Sequence, residues 1–275
     1  MGEHLHIDEV ALTKGELFTF VTNPQGRAKQ GTIVAVIEGT SSAKINKTLN
    51  HLALVRCKAV KTVSLDMSKS MGLAVTTSFP NAALVIDKFH VIKLVMEALQ
   101  SYRIALRWKV LKLENQRIQF CRKHKYRLRI KTYSNGDTER QLLARSVHLL
   151  FKSPSNWTES QEIRATILFK NYPRIKHFYE HVQAFRRIYS EVNIDKARIK
   201  LEAWIEKSYA FPEEVFHTVA KTISLHLENI LNYFTYKVTN AFAESFNSKI
   251  KRFRFNQRGI TDQVFFHYRL KELFA

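Results

Sequence analysis

Acidic residues are scarce in this 275-residue chain, with 24 Asp and Glu against 44 Lys and Arg and a net charge of +20 at pH 7. That excess is larger than solubility requires and implies a polyanionic partner, nucleic acid first and a membrane surface second. Cysteine is almost missing. Cys57 and Cys121 stand far apart with no Cys-x-x-Cys pair, which excludes a disulfide scaffold or a cysteine zinc site and leaves two reduced structural thiols. No apolar run approaches the roughly 18–20 residues of a spanning helix. No signal peptide opens the chain, so the expectation is a soluble, cytoplasmic protein without a membrane partner.

Glycine is also rare, and six of the eight glycines fall within residues 1–90, which divides the chain into two textures. In the first, short β-rich runs alternate with turn signals. "HLHIDEVAL" (4–12), "ELFTFVTN" (16–23) and "GTIVAVIEG" (31–39) read as a meander of strands, with "PQGRAKQ" as a turn. A Ser-capped helix over 41–52, a strand over 60–67, a short helix over 68–79 and a strand over 82–90 follow. The order βββαβαβ describes a ribonuclease H-like mixed five-stranded sheet of the α/β class. From His90 to about Lys237 the pattern is helical and glycine-poor, and twelve Lys or Arg lie between Lys93 and Lys131 against only Glu97 and Glu114. Such a run can lie along a duplex, or it is a solvated helix face. The expected division is a catalytic core of residues 1–92 and 238–275 with a basic helical insertion over 93–237.

A lone glutamate stands in the basic stretch "TNAFAESFNSKIKRFR" (239–254). In a helix, Phe242, Phe246, Ile250 and Phe253 form a core-facing stripe. Asn240, Glu244, Asn247, Ser248 and Lys251 form a separate polar face. Glu244 is then either an ordinary solvated residue with a helical charge partner or a carboxylate available to a metal. Asp8 on the first strand and Asp66 on the fourth each interrupt an apolar run, and these strands are neighbours in the expected sheet. Two such acids with Glu244 make an oxygen-rich set suited to Mg²⁺, and two ions about 3.5–4 Å apart serve in-line phosphoryl transfer.

"HIDE", "VSLDMS", "FPNAALVIDKFHVIKL" and "NAFAESFNSKIKRFR" together resemble the DDE transposases of bacterial insertion sequences, in the ISL-three group. The resemblance also covers "LLFKSPSNWTESQ" and "RGITDQVFFHYRLKEL", and so runs over essentially the whole chain. It implies that Asp8, Asp66 and Glu244 are the catalytic, metal-binding triad, with two Mg²⁺ ions for which Mn²⁺ substitutes. "DKFH" matches an Asp-x-x-His element that related transposases carry after the second aspartate, so Asp87 and His90 support the site or position DNA. A rival triad is Asp66, Asp87 and Glu244. Asp8 is preferred because the first strand flanks the fourth, and the plain alternative for Asp87 is a helix cap.

The implied activity is cleavage of the element's ends and transfer of the freed 3′ hydroxyl to target DNA. Lys249, Lys251, Arg252 and Arg254 would hold phosphates beside Glu244. An inactive DNA-binding remnant and a structure-selective nuclease on the same fold are the alternatives. The resemblance further implies a homo-oligomer on paired ends. The sheet begins almost at residue 1, whereas fuller relatives place zinc-binding and helix-turn-helix elements before it, so end recognition is expected from a separate polypeptide.

Overall fold

The computed structural model describes residues 1–12, 15–257 and 262–275, so the "RGIT" of the last matching motif, 258–261, lies outside the described residues. The first three strands, β1 (His4–Ala11), β2 (Leu17–Thr22) and β3 (Ile33–Glu38), pair antiparallel; buried and more open side chains alternate along β3, whereas β2 is buried on both faces. Two short helices follow, α1 (Ser42–Leu49) and α2 (Leu54–Lys58). Strand β4 (Thr62–Leu65), helix α3 (Lys69–Ser78) and strand β5 (Ala83–Ile86) complete the sheet. Its order is β3-β2-β1-β4-β5, with β4 and β5 parallel to β1. This is the ribonuclease H-like mixed sheet expected from the sequence.

Two local expectations need correction. Helix α2 adds a turn that the sequence pattern did not mark. The strand expected over 82–90 ends at Ile86, because Val91, Val95, Ala98 and Leu99 already follow a helical stripe and are all but fully buried. "DKFH" therefore sits at the start of helix α4 (Lys88–Lys123), immediately beyond the end of β5.

The remaining helices are α5 (Glu139–Arg145), α6 (Val147–Phe151), α7 (Glu159–Asn171), α8 (Pro173–Ile188), α9 (Ile194–Tyr209), α10 (Glu214–Leu225), α11 (Leu227–Tyr236), α12 (Ala241–Asn256) and α13 (Gln263–Phe274). The chain forms two compact units, residues 1–91 with 226–275, and residues 92–225. The return to the sheet unit comes at His226 rather than at 238, because α11 packs on β5 and Asn232 Nδ2 donates to Leu84 O at 2.7 Å. That bond satisfies an edge-strand carbonyl that would otherwise face away from any ladder. In the helical unit, Phe178, Phe185, Trp204, Phe211 and Phe216 build an aromatic core. No helix among the described residues is long and apolar enough to cross a membrane.

In the sheet unit, Val10, Phe18, Phe20 and Ile33 pack against Phe246, Ile250, Phe266, Leu270 and Phe274. Phe242 and Phe253 lie partly buried against the same cluster, so all members of the expected α12 stripe face the core. Burial of this stripe fixes which face α12 leaves open, and Glu244 is on it.

Candidate active site

Strand register decides where the aspartates stand. His6 is opposite Ser64 in the β1–β4 pair, and Leu65 is opposite Ile86 in the β4–β5 pair. Continuing both registers by one or two residues sets Asp8, within β1, abreast of Asp66 and Asp87, which follow the ends of β4 and β5. Strand spacing alone separates such neighbours by about 4.8 Å. The site therefore lies at the carboxyl ends of parallel strands, where α/β sheets commonly bind ligands.

Helix α12 is bonded to the sheet unit by polar residues seven apart, Asn240, Asn247 and Arg254, all on one helical stripe and all buried. Asn240, at the N-cap, accepts from His6 Nδ1 at 2.8 Å and from Ser64 Oγ at 2.5 Å through the same Oδ1. An amide oxygen only accepts, so His6 carries its proton on Nδ1. Burial, opposed by the Asn240 bond, holds the His6 imidazole below its ordinary pKa and therefore neutral. Asn247 Nδ2 donates to Asp8 Oδ2 at 2.7 Å. Arg254 closes the stripe with a fork on Glu16, Nε to Oε2 at 3.1 Å and Nη2 to Oε1 at 2.6 Å. These contacts set the axial position of the helix that carries Glu244 in its first turn. A carboxylate there also gains from the positive end of the helix dipole.

Among the described residues, Asp87, His90 and Glu244 bring ligand atoms within 4.8 Å of one another. Asp8 and Asp66 are not part of that group of three, but Asp8 feels the charges of both His90 and Asp66, and Asp87 those of His90 and Glu244. Burial raises the Asp8 carboxyl above its ordinary pKa and Asp66 adds to it, while the Glu9 N–H, His90 and Asn247 oppose. Asp87 is fully buried, and desolvation raises its pKa too, against His90 and the nearby N–H groups of Asn240 and Phe89. Neither Asp87 oxygen completes a hydrogen bond of good geometry, so its carboxylate is not a formed helix cap. Asp66 Oδ1 accepts from Ser68 N at 2.9 Å.

Four carboxylates and an imidazole, with both Asp87 oxygens and Asn247 Oδ1 buried and unpartnered, are a donor set that suits a divalent cation. A cation there would offset the desolvation that raises Asp8 and Asp87. The sequence reading placed Asn240 and Asn247 on α12 but gave them no role. The repeat of seven from Asn240 to Asn247 to Arg254 is the available signal.

The expected phosphate-holding cations divide. Lys251 and Arg252 are exposed. Lys249 is exposed as well, although its Nζ donates to Ala28 O at 3.0 Å and lies 4.9 Å from the Phe274 ring centre. Arg254 corrects the expectation: it is 6% exposed, paired with Glu16 and stacked on Phe266, and has no face for a phosphate. In the helical unit, eleven of the twelve cations from Lys93 to Lys131 are exposed. Arg103 is withdrawn, donating to Gln100 Oε1 and Leu143 O at 2.7 Å each.

Comparison with known proteins agrees with this architecture. The chain is 23% identical over 274 residues to the transposase for insertion sequence element IS1001 of Bordetella parapertussis, covering 99% of this chain and 61% of that protein. It is 24% identical over 226 residues to the transposase for insertion sequence element IS1557 of Mycobacterium tuberculosis, covering 80% of this chain and 49% of that protein. It thus spans about half to three fifths of the length of these relatives. A family model described as "Transposase", for the ISL3 group of DDE enzymes, matches residues 5–270, and the chain belongs to that family.

Proposed function

We propose that the chain catalyses divalent-metal-dependent cleavage and transfer of DNA strands at the ends of an insertion sequence, with Asp8, Asp66 and Glu244 as the acids that hold two Mg²⁺ ions. The observation that carries this reading is the hydrogen bond from Asn247, on the Glu244 helix, to Asp8, which stands abreast of Asp66. Held by these acids, Mg²⁺, or Mn²⁺ in its place, would supply the positive charge that activates an attacking oxygen and stabilises a leaving one in phosphoryl transfer.

The chain's own residues hold and orient the reacting groups. Asn247 fixes one Asp8 oxygen and the Glu9 N–H the other, so the carboxylate presents a set orientation. Ser68 N–H does the same for Asp66. Asn240 locks α12 to β1 and β4, which holds Glu244 on the side of the row where Asp87 and His90 stand. Lys249, Lys251 and Arg252, one to two turns along α12 from Glu244, hold phosphates of the bound strand. The exposed cations of residues 93–131 extend the contact to flanking duplex. Two copies acting on paired ends fit the need to join both ends to one target.

The test uses duplex oligonucleotides that end in the sequences flanking the coding frame, with a supercoiled plasmid and Mg²⁺ or Mn²⁺. Joined products are expected, and Asp8→Asn, Asp66→Asn and Glu244→Gln should each reduce them at least about 10³-fold, as losses of charge-stabilising groups do. Nicking without joining would replace the transferase with a nuclease. DNA binding with neither would make the chain an inactive remnant. Joining that survives Asp8→Asn but not Asp87→Asn would move the first acid to Asp87.

A further inference from the structure

The triad reading leaves Asp87 and His90 without a chemical task, yet Asp87 is a costly group to bury. It is 0% exposed, and neither of its oxygens completes a hydrogen bond of good geometry. His90 Nε2 stands 3.9 Å from Asp87 Oδ2, too far for a hydrogen bond. Glu244 reaches the same point from α12, so that one ligand atom from each residue lies within 4.8 Å of the others. Two donors bound to one ion at about 2.1 Å stand about 3–4 Å apart. The 3.9 Å between His90 and Asp87 falls within that range and beyond a hydrogen bond, and Glu244 stands within 4.8 Å of both.

We propose that Asp87, His90 and Glu244 form a second cation site with a nitrogen ligand, which takes a divalent ion of intermediate softness such as Mn²⁺, Co²⁺ or Zn²⁺ in preference to Mg²⁺. The proposal rests on the reading above only in that Glu244 is shared between this site and the Asp8 and Asp66 carboxylates. The chemistry of the donors differs between the two. Asp8 and Asp66 offer oxygen alone, which suits Mg²⁺, whereas an imidazole favours first-row transition metals. Position supports the assignment: Asp87 and His90 lie at i and i+3, at the entry to α4, and so project from one face of a helix. An ion here also gives the buried Asp87 carboxylate a full partner, where the nearby Asn240 and Phe89 N–H groups complete no hydrogen bond of good geometry.

The experiment is a Co²⁺ titration of the purified chain without DNA, followed by visible absorption, with cobalt anomalous diffraction from crystals of the unaltered chain. Binding that persists in a large excess of Mg²⁺ is expected. His90→Ala and Glu244→Gln should each weaken it at least tenfold, and Asp66→Asn should change it less than twofold. A single anomalous peak among Asp87, His90 and Glu244 would agree. Unchanged Co²⁺ affinity in His90→Ala, or cobalt found only between Asp8 and Asp66, overturns the site. The diffraction arm stands even where a variant fails to fold. Strand joining separates the two readings: His90-dependent cobalt binding without joined products refutes the transferase and leaves this site. Joined products with cobalt binding indifferent to His90 do the reverse.

Discussion

Asn247 Nδ2 lies 2.7 Å from Asp8 Oδ2, a hydrogen bond between residues 239 positions apart in the chain. It joins the helix that carries the glutamate to the strand that carries the first aspartate. Asn247→Ala should leave folding largely intact, because Phe246 and Ile250 still bury the α12 stripe. Strand joining and divalent-metal affinity should each fall about 10–100-fold, the usual cost of losing a partner that orients a ligand. Product yield against Mn²⁺ concentration measures both.

Asn240 carries a structural load instead. Its Oδ1 is the acceptor for both His6 and Ser64, which are 2% and 0% exposed. Asn240→Ala leaves two buried donors unmet, at about 1–3 kcal/mol each. The expected outcome is a loss of about 2–6 kcal/mol in urea unfolding, with activity following stability rather than metal concentration.

Arg254 and its neighbours on α12 should separate cleanly. Arg254→Ala removes the fork on Glu16, itself 9% exposed at the side chain, and should destabilise by about 3–5 kcal/mol, as breaking a buried pair does. Lys251→Ala and Arg252→Ala should leave the unfolding midpoint unchanged. Each should weaken binding to duplexes of any sequence and reduce the slope of log affinity against log salt by about one. Filter binding across a salt series and thermal melts of the same three variants check this.

Much of this architecture is legible in the sequence because it depends on local periodicity. The short β-rich runs around Asp8 and Phe20, bounded by turn residues, and the four, four, three spacing of Phe242, Phe246, Ile250 and Phe253 each require burial. Asp87 was misplaced for a related reason. A four-residue apolar strand followed directly by a helical stripe reads as one longer strand until Val91, Val95 and Leu99 are counted as one face. Arg254 was not legible. Its partner Glu16 is remote in sequence, and a cation beside Lys251 and Arg252 looks like part of the same basic surface until the helix is docked. The convergence of His90, Asp87 and Glu244 likewise depends on tertiary packing that no spacing within one segment encodes.

The helical unit carries its own acid sensitivity at His181. The ring is buried, stacks on Trp204 at 4.4 Å between centroids, and meets Ser208 Oγ at 2.7 Å. Ser208 gives its proton to Trp204 O, so His181 Nε2 is the donor to Ser208. Burial first, then the charges of Lys207 and His177, lower its pKa from 6.5 to about 3. Below pH 6.5 the unfolded chain binds a proton that the folded ring refuses, so the unfolded state holds more protons and stability rises with pH. That stability is lost as pH falls from about 6.5 towards 3, by at most about 1.4 kcal/mol for each pH unit. Far-ultraviolet circular dichroism melts at pH 7 and pH 5 should show the loss. His181→Gln keeps a donor for Ser208 without a titrating ring, and should melt at a lower temperature at pH 7 but lose less between the two pH values.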